Sequence, residues 1–411
     1  MNASFLPSLP LHLSYALLFG VLLVAGMLGG ELARVFRVPR IIGYVLVGFA
    51  FGPLASAMGL ALLIDEARIF VELALGLVLF DLGRRMDPKW MRRDWTLAAA
   101  GLAQSALTFV LVFYTLMAFD LPTIQAGIAA AIAMTTSPAV LLLIVHDTRS
   151  EGQVTERALN IAALNGLLAS IIVTILLGST HYVSSTDVEA AILHPLYLFG
   201  GSLLLGAAMA WAARVIARAV ERDREVHFTL VAGLVVAGVG LAQELKLPVI
   251  LALLAFGLFS RNDERGYELL NVNLAPVGRL LYIVLFVITG ASMPLPMLFA
   301  GGGIAIAYVV ARVAGTMLGV LAVAPLGGLR LKQTVGLGLA LLPMSSIALL
   351  LQHDIARLYP AFERDLSAIV LGAIIIMEVV GPLTVQWGLK LAGETDPEEE
   401  AQATPGVSRA A

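Results

Sequence analysis

Long apolar runs alternate with short charged loops along the whole chain. Thirteen runs approach the roughly 20 residues that a helix needs to cross hydrocarbon. They lie at about 13–33, 40–57, 66–83, 95–118, 123–145, 158–179, 194–217, 227–244, 247–260, 273–292, 296–321, 332–352 and 366–390, the ninth being short. The pattern predicts an all-α polytopic membrane protein of about 13 transmembrane helices.

Composition supports this reading. The 411 residues are 59% hydrophobic and 13% charged, with a mean hydropathy of +0.91, whereas a soluble domain carries roughly 25% charged residues. The net charge of −3 decides little, because a membrane protein sorts its charges by side. Lys and Arg are sorted here. Twenty-one of the 26 fall in one set of loops, among them Arg34, Arg37, Arg84, Arg85, Arg149, Arg218 and Arg330. The other set holds Arg68, Lys246, Arg357 and Arg364, and Arg312 stands inside a run. The rich side is expected to be cytoplasmic, placing the N-terminus outside and the C-terminus inside. The first basic residue is Arg34, so the first run is expected to be a retained span rather than a cleaved leader. The expected location is a cell membrane, such as a bacterial inner membrane. The acidic stretch from Gly393 is expected to be a disordered cytoplasmic tail.

Some chemistries are excluded by what is missing. With no cysteine, there is no disulfide framework, thiol chemistry or Cys metal site. Neither a phosphate-binding glycine loop nor HExxH is found. No enzyme activity, cofactor, metal or nucleic-acid partner is expected; the bilayer is the expected surrounding.

The runs also repeat. VPRIIGYVLVGFAFG from Val38 matches LPVILALLAFGLF from Leu247; VLFDLGRRMDP (Val78 to Pro88) matches VLFVITGASMPLP (Val284 to Pro296); and SPAVLLLIVHD (Ser137 to Asp147) matches SSIALLLQHD (Ser345 to Asp354), all at offsets of 206 to 209. About seven spans separate the copies, and an odd number inverts the second one in the membrane. The charges agree: Gly83 precedes Arg84-Arg85, while Gly290 precedes Ala291-Ser292. Inverted repeats mark secondary transporters, with the site near the midplane between them.

Polar residues interrupt the runs at matching places. Span five carries Thr135, Thr136, Ser137 and Pro138; span twelve carries Pro343, Ser345 and Ser346. Proline removes a backbone donor and clashes with the preceding turn. Two such interruptions predict discontinuous helices whose ends, hydroxyls and freed carbonyls can replace an ion's hydration shell. Arg312 in span eleven and Glu378 in span thirteen lie mid-run; each is costly in hydrocarbon, and both are expected to face the interior, as a pair or with Glu378 as a titrating group. Glu72 and Asp81 are further carboxylates, in span three, the latter expected beside Arg84 and Arg85. His146 and His353 read as interfacial residues rather than metal ligands. Span six, ALNIAALNGLLASII from Ala158 to Ile172, carries Asn160, Asn165 and Gly166 but no carboxylate.

Taken in order, RVPRIIGYVLVGFAFGP, VELALGLVLFDLG, LKLPVILALLAFGL, VLFVITGASM, the ARVAG of span eleven and the broken spans five and twelve resemble the monovalent cation:proton antiporter superfamily. The resemblance covers roughly residues 10–390 and is nearer the branch of potassium-efflux and related sodium/proton antiporters. It implies two inverted six-helix repeats with crossed discontinuous helices, the sodium/proton antiporter fold, within a membrane domain over 1–390. It further implies a dimerisation part (about 10–90 and 225–293), a core (about 95–180 and 295–390), a linker helix (about 194–220), a homodimer and elevator-like transport. The branch's nucleotide-binding regulatory domain is not expected in this chain. In the family, span six carries Asn-Asp or Asp-Asp; Asn165-Gly166 matches that pair, and Arg312 matches a family Lys or Arg. Some relatives add a Glu to pair with the Arg, where this chain has Asn160 and Ala162.

Gly166 cannot titrate. Asn165 can coordinate a cation through its carbonyl oxygen but cannot carry a proton. The function stays open between a Na+ or K+:proton antiporter with a displaced carboxylate, a same-fold transporter of an organic solute or anion, and a transport-inactive sensor. The candidate ion-binding residues are Asn165, Thr135, Thr136, Ser137, Ser345, Ser346 and Glu378. Arg312 is expected to be structural or a counter-charge, and Asn160, Gly166, Glu72 and Asp81 form an outer set.

Overall fold

The computed structural model describes residues 15–57, 68–86, 93–185, 188–220, 223–261, 275–293, 295–358 and 363–395. The predicted tail beyond residue 395 lies outside the described residues. Helices follow the order of the apolar runs: α1 (Tyr15–Val35), α2 (Arg40–Ala57), α3 (Arg68–Arg85), α4 (Trp95–Met117), α5 (Thr123–Ala133), α6 (Pro138–Asp147), α7 (Gln153–Ser185), α8 (Val188–Ala219), α9 (Arg224–Glu244), α10 (Val249–Arg261), α11 (Ala275–Ser292), α12 (Leu295–Val323), α13 (Leu331–Ala340), α14 (Ser346–Leu358) and α15 (Glu363–Ala392). Seven helices among the described residues are long and apolar enough to cross a bilayer, counting α5 and α6 as one passage.

Helix ends are set by local chemistry. Asp94 accepts from the Thr96 amide at 3.2 Å and starts α4; Asp223 does the same for α9 through Glu225 at 2.7 Å. Such side chains satisfy amides that the first turn leaves without partners. The outer faces are apolar: Leu204 is 73% exposed, Trp211 65% and Val310 61%. A water-soluble protein hides such a band, whereas lipid solvates it.

Two passages are broken as predicted. Between α5 and α6 the chain is non-helical from Thr135 to Ser137, and between α13 and α14 from Leu342 to Ser345. Around them α4 packs on α12, and α12 and α13 pack on α15. The other grouping pairs α2 with α11 and α3 with α10.

Contacts exchange across the repeat offset. Gly48 lies against Val287 and Gly290, and its repeat mate Gly257 lies against Phe80 and Gly83. With no Cβ, each pair brings two helix backbones together. Thr108 touches Thr316 at 3.2 Å, and Ser137 touches Ser345 at 2.8 Å, each residue meeting its own mate 208 positions away. Two copies related by a two-fold axis would make self-contacts of this kind, and these contacts are consistent with the repeat.

Candidate functional site

The two breaks meet in the buried interior. Ser137 caps α6 with Pro138 at its first position, where the missing proline amide costs nothing. The Ser137 amide donates to the Pro343 carbonyl at 2.8 Å. Thr136 Oγ1 donates to the Leu341 carbonyl at 2.9 Å, and Thr135 Oγ1 turns back to Ile132 at 2.8 Å. The Ser137 hydroxyl lies 2.8 Å from Ser345 Oγ and 3.3 Å from Ser346 Oγ. The breaks are thus bonded to each other, with Thr135, Thr136, Ser137, Ser345 and Ser346 all buried.

Arg312 closes the crossing. It is fully buried. Its Nε donates to Ala133 O at 2.9 Å, Nη2 to Thr135 O at 2.7 Å and to Pro343 O at 3.4 Å, and Nη1 to Leu342 O. These carbonyls lie at the C-terminal ends of α5 and α13, where the last turn lacks intrahelical donors and the dipole is negative. A rigid fork of five N–H donors suits four carbonyls from two chain segments. One turn earlier, Tyr308 donates to Ala129 O at 2.9 Å.

The expected ion pair between Arg312 and Glu378 is not formed. The helix-end carbonyls claim the guanidinium, and no ion pair involves Glu378 among the described residues. Glu378 is 0% exposed and neither carboxylate oxygen has a hydrogen-bond partner. Ser345 is the polar side chain acting on it. Gly381, on the same face of α15, lets that helix close on the break, since a Cβ there would stand 2.9 Å from Pro343 Cα.

Asn165 sits on the other strand of this network. Its Oδ1 accepts from Ser105 Oγ at 2.9 Å and its Nδ2 donates to Thr136 Oγ1 at 3.2 Å. The chain continues into α4 and α12, where Gln104 Nε2 donates to Thr108 and Thr316 at 3.3 and 3.2 Å. Gly166 is buried and faces Ile347, in the first turn of α14; a Cβ would meet its Cδ1 at 2.9 Å.

The outer candidates lie elsewhere. Asn160 donates to the Glu156 carbonyl of its own helix at 2.9 Å. Glu72 accepts from Gln243 at 2.9 Å, and Asp81 pairs with Arg85 at 2.9 Å, as its neighbours in sequence predicted. None of the three joins the crossing through these bonds. Sequence reading missed Gln104, Ser105, Thr108, Thr316 and Tyr308. A signal existed: 104 and 108 share one helical face, as do 308, 312 and 316.

A family model described as "Sodium/hydrogen exchanger, transmembrane" matches residues 19–391. The chain belongs to that family. Two solved structures of the sodium proton antiporter MjNhaP1 from Methanocaldococcus jannaschii share the fold. The one at pH 8 has a TM-score of 0.68 at 20% identity, covering 92% of this chain and 99% of that one. The other, from an electron-microscopy map, has a TM-score of 0.66 at 20% identity, covering 98% and 100%. Among the described residues the crossing holds the guanidinium of Arg312, hydrogen-bonded by backbone carbonyls, and the carboxylate of Glu378, which forms no ion pair, while span six supplies the Asn165 amide and Gly166.

Proposed function

We propose that this chain is a secondary transporter that exchanges a monovalent cation, Na+ or K+, for a proton. Its core (about 95–180 and 295–390) would move past a dimerisation part (about 10–90 and 225–293) in an elevator fashion, as a homodimer with its N-terminus outside. Family membership supports the class of transport. The observation that carries the cation is the charge balance of the crossing. The N–H donors of Arg312 are engaged by four carbonyls, so they are not directed at a bound anion. Glu378 brings a carboxylate without a counter-ion, which a cation or a proton satisfies. The hydroxyls of Ser137, Ser345 and Ser346 and the amide of Asn165 are the neutral groups that would complete the site. This balance weighs against the anion alternative.

The test is flux in liposomes with a trapped pH dye and an imposed Na+ or K+ gradient. Proton movement that follows the cation and ceases without protein supports exchange. Absence of any cation-driven proton movement over a broad pH range, in protein shown to be folded, overturns it in favour of the sensor reading.

A further inference from the structure

We infer that Glu378 is the group that alternates between proton and cation, and that it exchanges them one for one without moving net charge; the transport half of this rests on the exchange proposed above. Among the described side chains of the helices that form and flank the crossing, Arg312 and Glu378 are the charged residues near mid-helix. Arg312 is held by the backbone and keeps its proton. Glu378 has no ion-pair partner among the described residues, its residue is 0% exposed, and Ser345 is the one polar side chain beside a carboxylate whose oxygens make no close hydrogen bond. An ionised carboxylate left so in hydrocarbon carries a large penalty. The arrangement therefore holds a proton on Glu378, or a cation beside it.

The surroundings are built for that alternation. Ser345 acts on the carboxylate, and its hydroxyl lies 2.8 Å from that of Ser137. Ser346, the first residue of α14, lies 3.3 Å from the same Ser137 hydroxyl. Carboxylate and hydroxyl oxygens are the hard ligands that a Group 1 cation accepts in place of water. The starts of α6 and α14 present positive dipole ends here. Neutral oxygens alone would hold a cation poorly against those ends, so binding requires the ionised carboxylate. The proton must leave before the cation can stay.

The step balances simply. On one side the O–H bond of Glu378 breaks, the proton goes to water, and the cation takes its place beside the carboxylate. On the other side the cation leaves to water and a proton re-forms the O–H bond. Both loaded forms carry the same charge, since one proton replaces one cation and no second carboxylate lies at the crossing among the described residues. The core then carries the same charge in each direction, and the full cycle moves no net charge through the membrane potential.

The first readout is proton release in detergent, followed with a pH indicator in weak buffer as Na+ or K+ is added against a choline control. Wild type is expected to release about one proton per chain, and Glu378→Gln none. Ser345→Ala is expected to keep the release but to require severalfold more cation, which tests the site through a variant that retains the carboxylate. In liposomes, Na+-driven proton flux is expected to fall at least tenfold in Glu378→Gln and to be unchanged by an imposed membrane potential. Release or flux at wild-type level in folded Glu378→Gln overturns the assignment while leaving exchange intact. Flux that responds to the potential overturns the one-for-one balance. Proton release without any flux keeps the Glu378 site and removes the transport reading. Wild type that releases no proton on binding either cation overturns the inference outright.

Discussion

Arg312 and Glu378 are two charges in one membrane interior that do not meet. The reason is competition. Two helices that stop inside the protein leave carbonyls that cannot reach water, and each unsatisfied buried polar group costs about 1–3 kcal/mol. The guanidinium serves four of them at once. Arg312→Ala is therefore expected to lower stability by roughly 3 kcal/mol or more, read as a fall in the thermal midpoint in detergent. Arg312→Lys should recover only part, because a compact ammonium cannot span both breaks. Ser105 plays a smaller part. It donates to Asn165 Oδ1 at 2.9 Å, and Ser105→Ala should cost about 1 kcal/mol. Ser105→Thr, which keeps the hydroxyl, should cost less, and the difference in midpoint between the two variants checks the bond.

At the scale of elements, the start of α7 is tied down by its neighbours. The Glu394 carboxylate, just past α15, accepts from the amides of Val154 and Thr155 at 2.7 and 2.8 Å and from the Thr155 hydroxyl at 2.8 Å. Arg157, one turn in, pairs with Asp94 at 2.6 Å. The helix carrying Asn165 is thereby fixed to the helix carrying Glu378 and to the start of α4. Glu394→Ala is expected to cost about 1–2 kcal/mol at that end. Hydrogen exchange at residues 153–157 should then speed up about 5- to 30-fold. The breaks themselves were legible in sequence, because Thr135-Thr136-Ser137-Pro138 and Pro343-Met344-Ser345-Ser346 violate the pattern of an apolar helix. Their bonding to each other was not, since backbone carbonyls have no sequence signature.

For the whole molecule, the paired glycine contacts make a symmetrical demand. Gly48 against Gly290 and Gly257 against Gly83 are the same joint in two copies. Gly48→Val and Gly257→Val should destabilise the protein comparably, by about 1–3 kcal/mol of overpacking, and a difference several times larger than that would show that the two joints are not equivalent. The outer apolar band makes another. Val310 is 61% exposed in the middle of α12. On a water-soluble protein, Val310→Arg would be close to neutral, but facing lipid it should cost about 2.5–3.5 kcal/mol of insertion, seen as less protein extracted from the membrane fraction.

The sequence by itself determined the order of the apolar helices, the two interruptions and the presence of Arg312, Glu378 and Asn165. Each of these is written in local pattern: run length, proline, hydroxyls, or a charge where hydrocarbon forbids one. Only the tertiary structure decided who partners whom. Arg312 reaches carbonyls 30 and about 180 positions away in the chain, the polar seam from Asn165 runs through Ser105 and Gln104 to Thr316, and Glu378 is left alone beside Ser345. Those facts depend on which helix ends are brought together in three dimensions. Complementary charge in the sequence favours an ion pair, while the unmet hydrogen bonds of two broken helices, created only when they cross, take the cation first.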